Sequence, residues 1–71
     1  MRLIEMLLTI PGTGLTQSDW RRLIDEGHVI VNGIGDRDPD SDLRAQPGTC
    51  IFVIGVGEFI ARLHWEEVRE P

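Results

Sequence analysis

A chain of 71 residues has room for one small domain, because a chain of this length buries only about 60% of the surface it exposes unfolded, and a deep catalytic cleft is not expected of it. Its 41% hydrophobic and 27% charged residues are the balance of a soluble globular chain, which argues against disorder along its whole length. The net charge of −5, from twelve carboxylates against seven arginines and no lysine, by itself argues against a nucleic-acid partner, whose footprint is basic; the acids concentrate between Asp36 and Asp42 and from Glu66 to Glu70, so a local basic face can survive.

Leu3, Ile4, Leu7, Leu8 and Ile10 recur at helical intervals and predict a first helix with Arg2, Glu5 and Thr9 outside its apolar stripe. Pro11, Gly12 and Gly14 stop it. Thr16 with Asp19 three residues on has the spacing of a capping box and opens a second helix, with Leu15 placed to staple against it. Trp20, Leu23 and Ile24 form that helix's apolar face, Arg21, Arg22, Asp25 and Glu26 point elsewhere, and Gly27 ends it. A connection of about five residues predicts that the two helices pack as a hairpin.

Val29 to Val31 reads as a strand and Asn32-Gly33 as a tight reversal. Asp36 to Asp42, with Pro39, reads as an exposed acidic loop, and Pro47-Gly48 as a turn before a strand from Cys50 to Ile54. Gly55 and Gly57 flank another turn, and Glu58 to Trp65 alternates as the last strand. The expected architecture is α+β, a helical hairpin packed on a small antiparallel sheet of about three strands. One domain covers 1–71, with a core of about 2–65 and a frayed tail at 66–71.

Several chemistries fail on spacing. Asp36, Asp38, Asp40 and Asp42 alternate, but a calcium loop counted from Asp36 requires glycine where Ser41 stands and glutamate where Pro47 stands. The pairs Gly12/Gly14, Gly33/Gly35 and Gly55/Gly57 lack the strand-to-helix setting of a phosphate loop and read as turns. His28, His64 and Cys50 fall short of a zinc set, and Cys50 sits in an apolar strand as a small hydrophobe. No nucleophile has a base and an orienting group beside it, so neither catalysis, metal nor cofactor is expected. No apolar run approaches the ~20 residues of a membrane span and no signal peptide is apparent, which predicts a cytoplasmic domain.

Arg21 and Arg22 admit two readings. Each has a carboxylate four residues on, Asp25 and Glu26, and so suits an ordinary exposed helix pair. Both also lie near a helix start, beside Thr16, Gln17 and Ser18, where free N–H groups and hydroxyls attract phosphate oxygens.

The run TQSDWRRLIDEGHVIVNG, preceded by a helix and a short loop, resembles the signature of the ribosomal-protein-S-four-type RNA-binding domain, or alpha-L motif. The likeness extends over about Arg2 to Leu63. Asp38-Pro39-Asp40 and IFVIGVGEFIARL look like the version of this domain found at the C-terminus of bacterial and organellar tyrosyl-tRNA synthetases. The resemblance implies a noncatalytic, tRNA-binding appendage, standing alone or beside other domains of a parent protein. It carries Thr16, Ser18, Arg21 and Arg22 over as RNA-facing, with Gln17 at a contact position without the usual charge and Val56, Gly57 and Glu58 where the last hairpin is usually basic. The other function the residues allow is a protein-interaction or structural module with the same fold that has lost RNA affinity through its acidic surface.

Overall fold

A computed structural model of the chain describes residues 1–44, 46–62 and 64–68. Two helices, α1 (Leu3–Leu8) and α2 (Gln17–Asp25), precede five strands, β1 (Val29–Val31), β2 (Ile34–Gly35), β3 (Cys50–Val53), β4 (Gly57–Ala61) and β5 (Trp65–Val68). The strands form one sheet in the order β2-β1-β3-β4-β5, with every neighbouring pair antiparallel. The fold is α+β, as the order of the patterns requires. No described helix is long and apolar enough to cross a membrane.

The core lies between the helices and one face of the sheet. Leu3, Ile4, Met6, Leu7 and Ile10 from the first helical segment, and Trp20 and Ile24 from α2, meet Val29, Ile51, Val53 and Phe59. Strand alternation selects the last four. Val29 stands opposite Val53, Val31 opposite Ile51, and Ile51 opposite Phe59, so all point to the helices, whereas Ile30, Phe52 and Glu58 form a cross-strand row on the other face. In α1 the buried stripe takes Met6, 1% exposed, and leaves Leu8 at 45%. A helix of six residues is short enough for its own stripe to shift by one position.

Local chemistry sets the ends of α2 and the first hairpin. Gly27 adopts φ +78° beyond the helix; its N–H donates to the Ile24 carbonyl (3.1 Å) and the His28 N–H to the Leu23 carbonyl (3.0 Å), the paired bonds of a Schellman motif. Asn32 and Gly33, at φ +50° and +83°, make the left-handed turn that matches strand twist. The Asn32 side chain also accepts from the Cys50 N–H at 2.8 Å, extending the β1–β3 pairing.

The acidic segment is more than a solvated loop. Asp36 Oδ1 accepts from the Asp38 N–H and Asp38 Oδ1 from the Asp40 N–H, each at 3.0 Å, so the spacing of two comes from successive Asx turns. The turned backbone then serves α1, whose N-cap residue Arg2 makes no side-chain cap. Leu3 N–H donates to the Ser41 carbonyl and Ile4 N–H to the Pro39 carbonyl, both at 2.9 Å, satisfying amides that a helix leaves open. Arg2 reaches Asp40 at 3.0 Å, and the N-terminal ammonium reaches Asp42 at 3.2 Å.

The end of the chain departs from the sequence expectation. The last strand expected at Glu58 to Trp65 is divided into β4, ending at Ala61, and β5, starting at Trp65; Leu63, placed in that strand by its alternation, lies outside the described residues. Residues 66–68, expected to fray, pair with β4 through Ile60–Glu66, Phe59–Glu67 and Glu58–Val68, and residues 69–71 lie outside the described residues. Two adjacent glutamates disfavour a strand by propensity, yet charged residues suit an edge, and here the ladder decides. Trp65 anchors it: its indole Nε1 donates to Thr9 Oγ1 at 2.7 Å, and that hydroxyl donates to the Met6 carbonyl at 2.6 Å.

Two measurements check this account. A Cβ at Gly27 meets the Arg37 guanidinium at 2.7–2.8 Å, but that is the movable end of a side chain, so the cost of Gly27→Ala lies in the backbone. Urea denaturation should show a loss of about 1–2 kcal/mol that Arg37→Ala does not restore. The Cys50 thiol donates to Glu58 Oε1 at 3.1 Å, and that bond first, then burial, pushes its pKa up. Iodoacetamide at about pH 8 should label it more slowly in the folded than in the urea-unfolded chain, with Glu58→Gln closing much of the gap; equal rates would show that the bond does not form.

Candidate nucleic-acid interface

Thr16 sits at the N-cap in extended conformation, and the reciprocal cap is complete: Asp19 N–H donates to Thr16 Oγ1 (3.2 Å) and Thr16 N–H to Asp19 Oδ2 (2.9 Å). The cap sets where helical φ and ψ begin. Trp20 and Ile24, four residues apart, are then turned fully into the core. Ser18, Arg22 and Asp25 occupy the opposite side, Arg21 lies on the flank, and Gln17 stands in the first turn above Trp20; all five are exposed. Because residues three and four apart are neighbours on a helix, Gln17 stacks beside Arg21, and Ser18 beside Arg21 and Arg22. Of the five expected residues, Thr16 is the N-cap, Gln17, Ser18 and Arg21 follow within the first five positions of α2, and Arg22 falls in its last turn.

The ordinary helix pairs do not form. The ion pairs among the described residues are Met1–Asp42, Arg2–Glu5, Arg2–Asp40 and Arg62–Glu66, with a His28–Glu26 contact that is ionic only when the imidazole carries a proton. Glu26 is turned to His28 Nδ1 at 3.6 Å, away from Arg22. Arg21 and Arg22 thus have no carboxylate within 4.0 Å among the described residues.

The helix N-terminus offers less than its sequence suggests. The Asp19 carboxylate already occupies the positive end of α2, held below the usual aspartate range by the Thr16 backbone N–H first, then by the Thr16 hydroxyl, with the Arg22 charge adding to them. Asp19 N–H goes to Thr16 Oγ1 and Trp20 N–H to the Thr16 carbonyl. The groups left unoccupied on this part of the surface are the Arg21 and Arg22 guanidiniums, with the exposed side chains of Gln17 and Ser18 beside them.

Two further features were not apparent from the sequence. Arg37 is masked there by its flanking aspartates, but its guanidinium lies against Gly27 at the C-terminal end of α2, exposed and without an ion pair among the described residues. A cleft of about 290 Å³ opens beside Arg22, lined by Leu15, Asp19, Arg22, Leu23 and Val56. Its walls come from the α1–α2 connection, from α2 and from the β3–β4 turn, which no local pattern brings together. A cleft of about 370 Å³ lies elsewhere, between α1 and the β4–β5 connection, with Thr9 and Trp65 in its wall. No cluster of three His, Cys, Asp or Glu side chains suited to a metal ion occurs among the described residues.

The cap generates a pH signature. A carboxyl lowered by folding contributes stability above its unfolded pKa and loses it as pH falls through the folded value, so the Asp19 contribution fades in acid below about pH 4. Asp19→Asn should flatten part of the acid limb in urea midpoints measured against pH; Glu5, lowered chiefly by its hydrogen bond from Arg2, should keep the remainder. Thr16→Ala should cost about 1 kcal/mol near neutrality.

No family model matches the chain, and no curated protein or solved structure matches it.

Proposed function

We propose that the chain is a noncatalytic RNA-binding module that holds structured RNA, tRNA in particular, through the exposed surface of α2. The observation that carries this reading is that Arg21 and Arg22, adjacent on one helix, both lie exposed to solvent without an ion pair among the described residues, whereas Arg2 and Arg62 are paired and the other unpaired arginines, Arg37 and Arg44, stand apart in loops. Two adjacent free guanidinium groups on a rigid helix suit neighbouring phosphates, which each can grip bidentately. The resemblance of TQSDWRRLIDEGHVIVNG to the alpha-L motif supports the same assignment and gives it a setting, as a C-terminal appendage of a tyrosyl-tRNA synthetase. Recognition is by phosphate spacing and helix shape, with the bases of paired regions unread.

A specific observation also favours a protein-interaction module. The sheet face away from the helices exposes Phe52 at 43% and Ile54 at 45%, with Ile30 beside Phe52 across the ladder. The two readings use opposite faces of the molecule, so one experiment separates them.

Titration of the labelled protein with tRNA at low and moderate salt should move the amide resonances of Thr16 to Arg22, with a log-log salt slope of about −2 for two or three neutralised phosphates. Arg21→Ala with Arg22→Ala should reduce the slope by nearly that whole amount. Shifts absent from Thr16 to Arg22, or affinity indifferent to the double substitution, would overturn the assignment of RNA binding to α2, and no shifts at all would leave the second reading standing.

A further inference from the structure

We infer that the cleft beside Arg22 receives one unpaired nucleobase, extruded from the RNA whose phosphate Arg22 holds; this rests on the RNA reading above. The β3–β4 turn provides the first reason. Val56 stands between Gly55 and Gly57, and its N–H donates to the Val53 carbonyl at 3.0 Å, closing a turn that leaves the valine 37% exposed. Tight turns ordinarily carry polar or conformationally permissive residues at such a position, and a β-branched apolar side chain gains nothing there from water. This one faces Leu15 and Leu23 across the cleft.

The second reason is the match between the walls and a base. Leu15, Leu23 and Val56 are aliphatic and can pack against the face of a heterocycle, while Asp19 and Arg22 add a hydrogen-bond acceptor and a cation to the lining. Asp19 Oδ2 takes the Thr16 N–H, and Oδ1 has no partner among the described residues, so it is open to an exocyclic amine such as that of adenine. At about 290 Å³ the cleft is a shallow depression largely open to solvent, so a flat ring would lie against its aliphatic wall with its other face in water. Arg22 belongs to both the cleft and the phosphate-facing side of α2, which ties the base to its own backbone. Extruded bases are held in this way elsewhere, with faces on apolar side chains and polar edges on hydrogen-bonding groups.

The test uses three RNA hairpins that differ at one position: fully paired, bearing a single bulged adenosine, and bearing an abasic bulge that keeps the backbone break without the base. Fluorescence anisotropy should show the adenosine bulge bound about fivefold more tightly than the other two, at or below the low end of what a base stacked on an aromatic ring contributes. Val56→Ser should remove the preference and leave affinity for the paired hairpin unchanged. Ile34→Ser, equally an exposed apolar residue but outside the cleft, should retain the preference. Equal salt-dependent affinity for all three RNAs, or a preference that survives Val56→Ser, overturns base insertion and leaves phosphate binding standing. Binding to none of them overturns both.

Discussion

The rotational setting of α2 is the constraint on which the remaining surface depends. Trp20 and Ile24 are fully buried against the sheet, and two side chains one helical turn apart leave a helix no freedom to roll. The Thr16–Asp19 cap fixes the start of the helix and the Gly27 motif its end, so position along the axis is set as well. Arg21 and Arg22 point to solvent as a consequence. A binding surface built on a pinned helix needs little ordering of its backbone, which matters when only two or three charges supply the attraction.

The charge of −5 would defeat such a surface if the carboxylates were spread evenly. They are not. Asp36 and Asp38 act as local turn formers, and Asp40 and Asp42 are turned toward Arg2 and the N-terminal ammonium. Glu26 and Glu66 are engaged with His28 and Arg62. These are exposed pairs that add little to stability, but each places negative charge away from Arg21 and Arg22. What survives at a distance is a net repulsion toward any polyanion, screened beyond about a Debye length, so association should be slow and governed by close geometry.

The features legible in the sequence are those whose partners lie within a few residues. Thr16 and Asp19 are three apart, Gly27 follows its helix directly, and Asn32-Gly33 closes a hairpin of adjacent strands; each was readable because the physics is local. What could not be read depends on distant pairing. The carbonyls of Pro39 and Ser41 cap a helix at the other end of the sequence, and nothing in an acidic run announces that role. Residues 66–68 form a strand because β4 offers an edge and Trp65 reaches Thr9, against the preference of two glutamates. Arg37 and Val56 join α2 only through loop geometry. The family likeness found the exposed face of α2 and had no means of finding the cleft next to it.

Asp19 links the fold to the manner of recognition. A helix start without an internal carboxylate leaves its positive end to any passing anion, which favours tight and indiscriminate phosphate binding. Here the same carboxylate that stabilises the cap neutralises that end, and the residue also lines a small, mostly apolar cleft. The chain thereby exchanges nonspecific attraction for a hydrogen-bond acceptor at a defined place, one step along α2 from a guanidinium. Arg22 and Asp19, one turn apart with Leu23 beside them, put a cation and a hydrogen-bond acceptor at one edge of that cleft. On the RNA reading proposed above, selectivity rests on this placement, because the net charge of the whole molecule works against binding a polyanion.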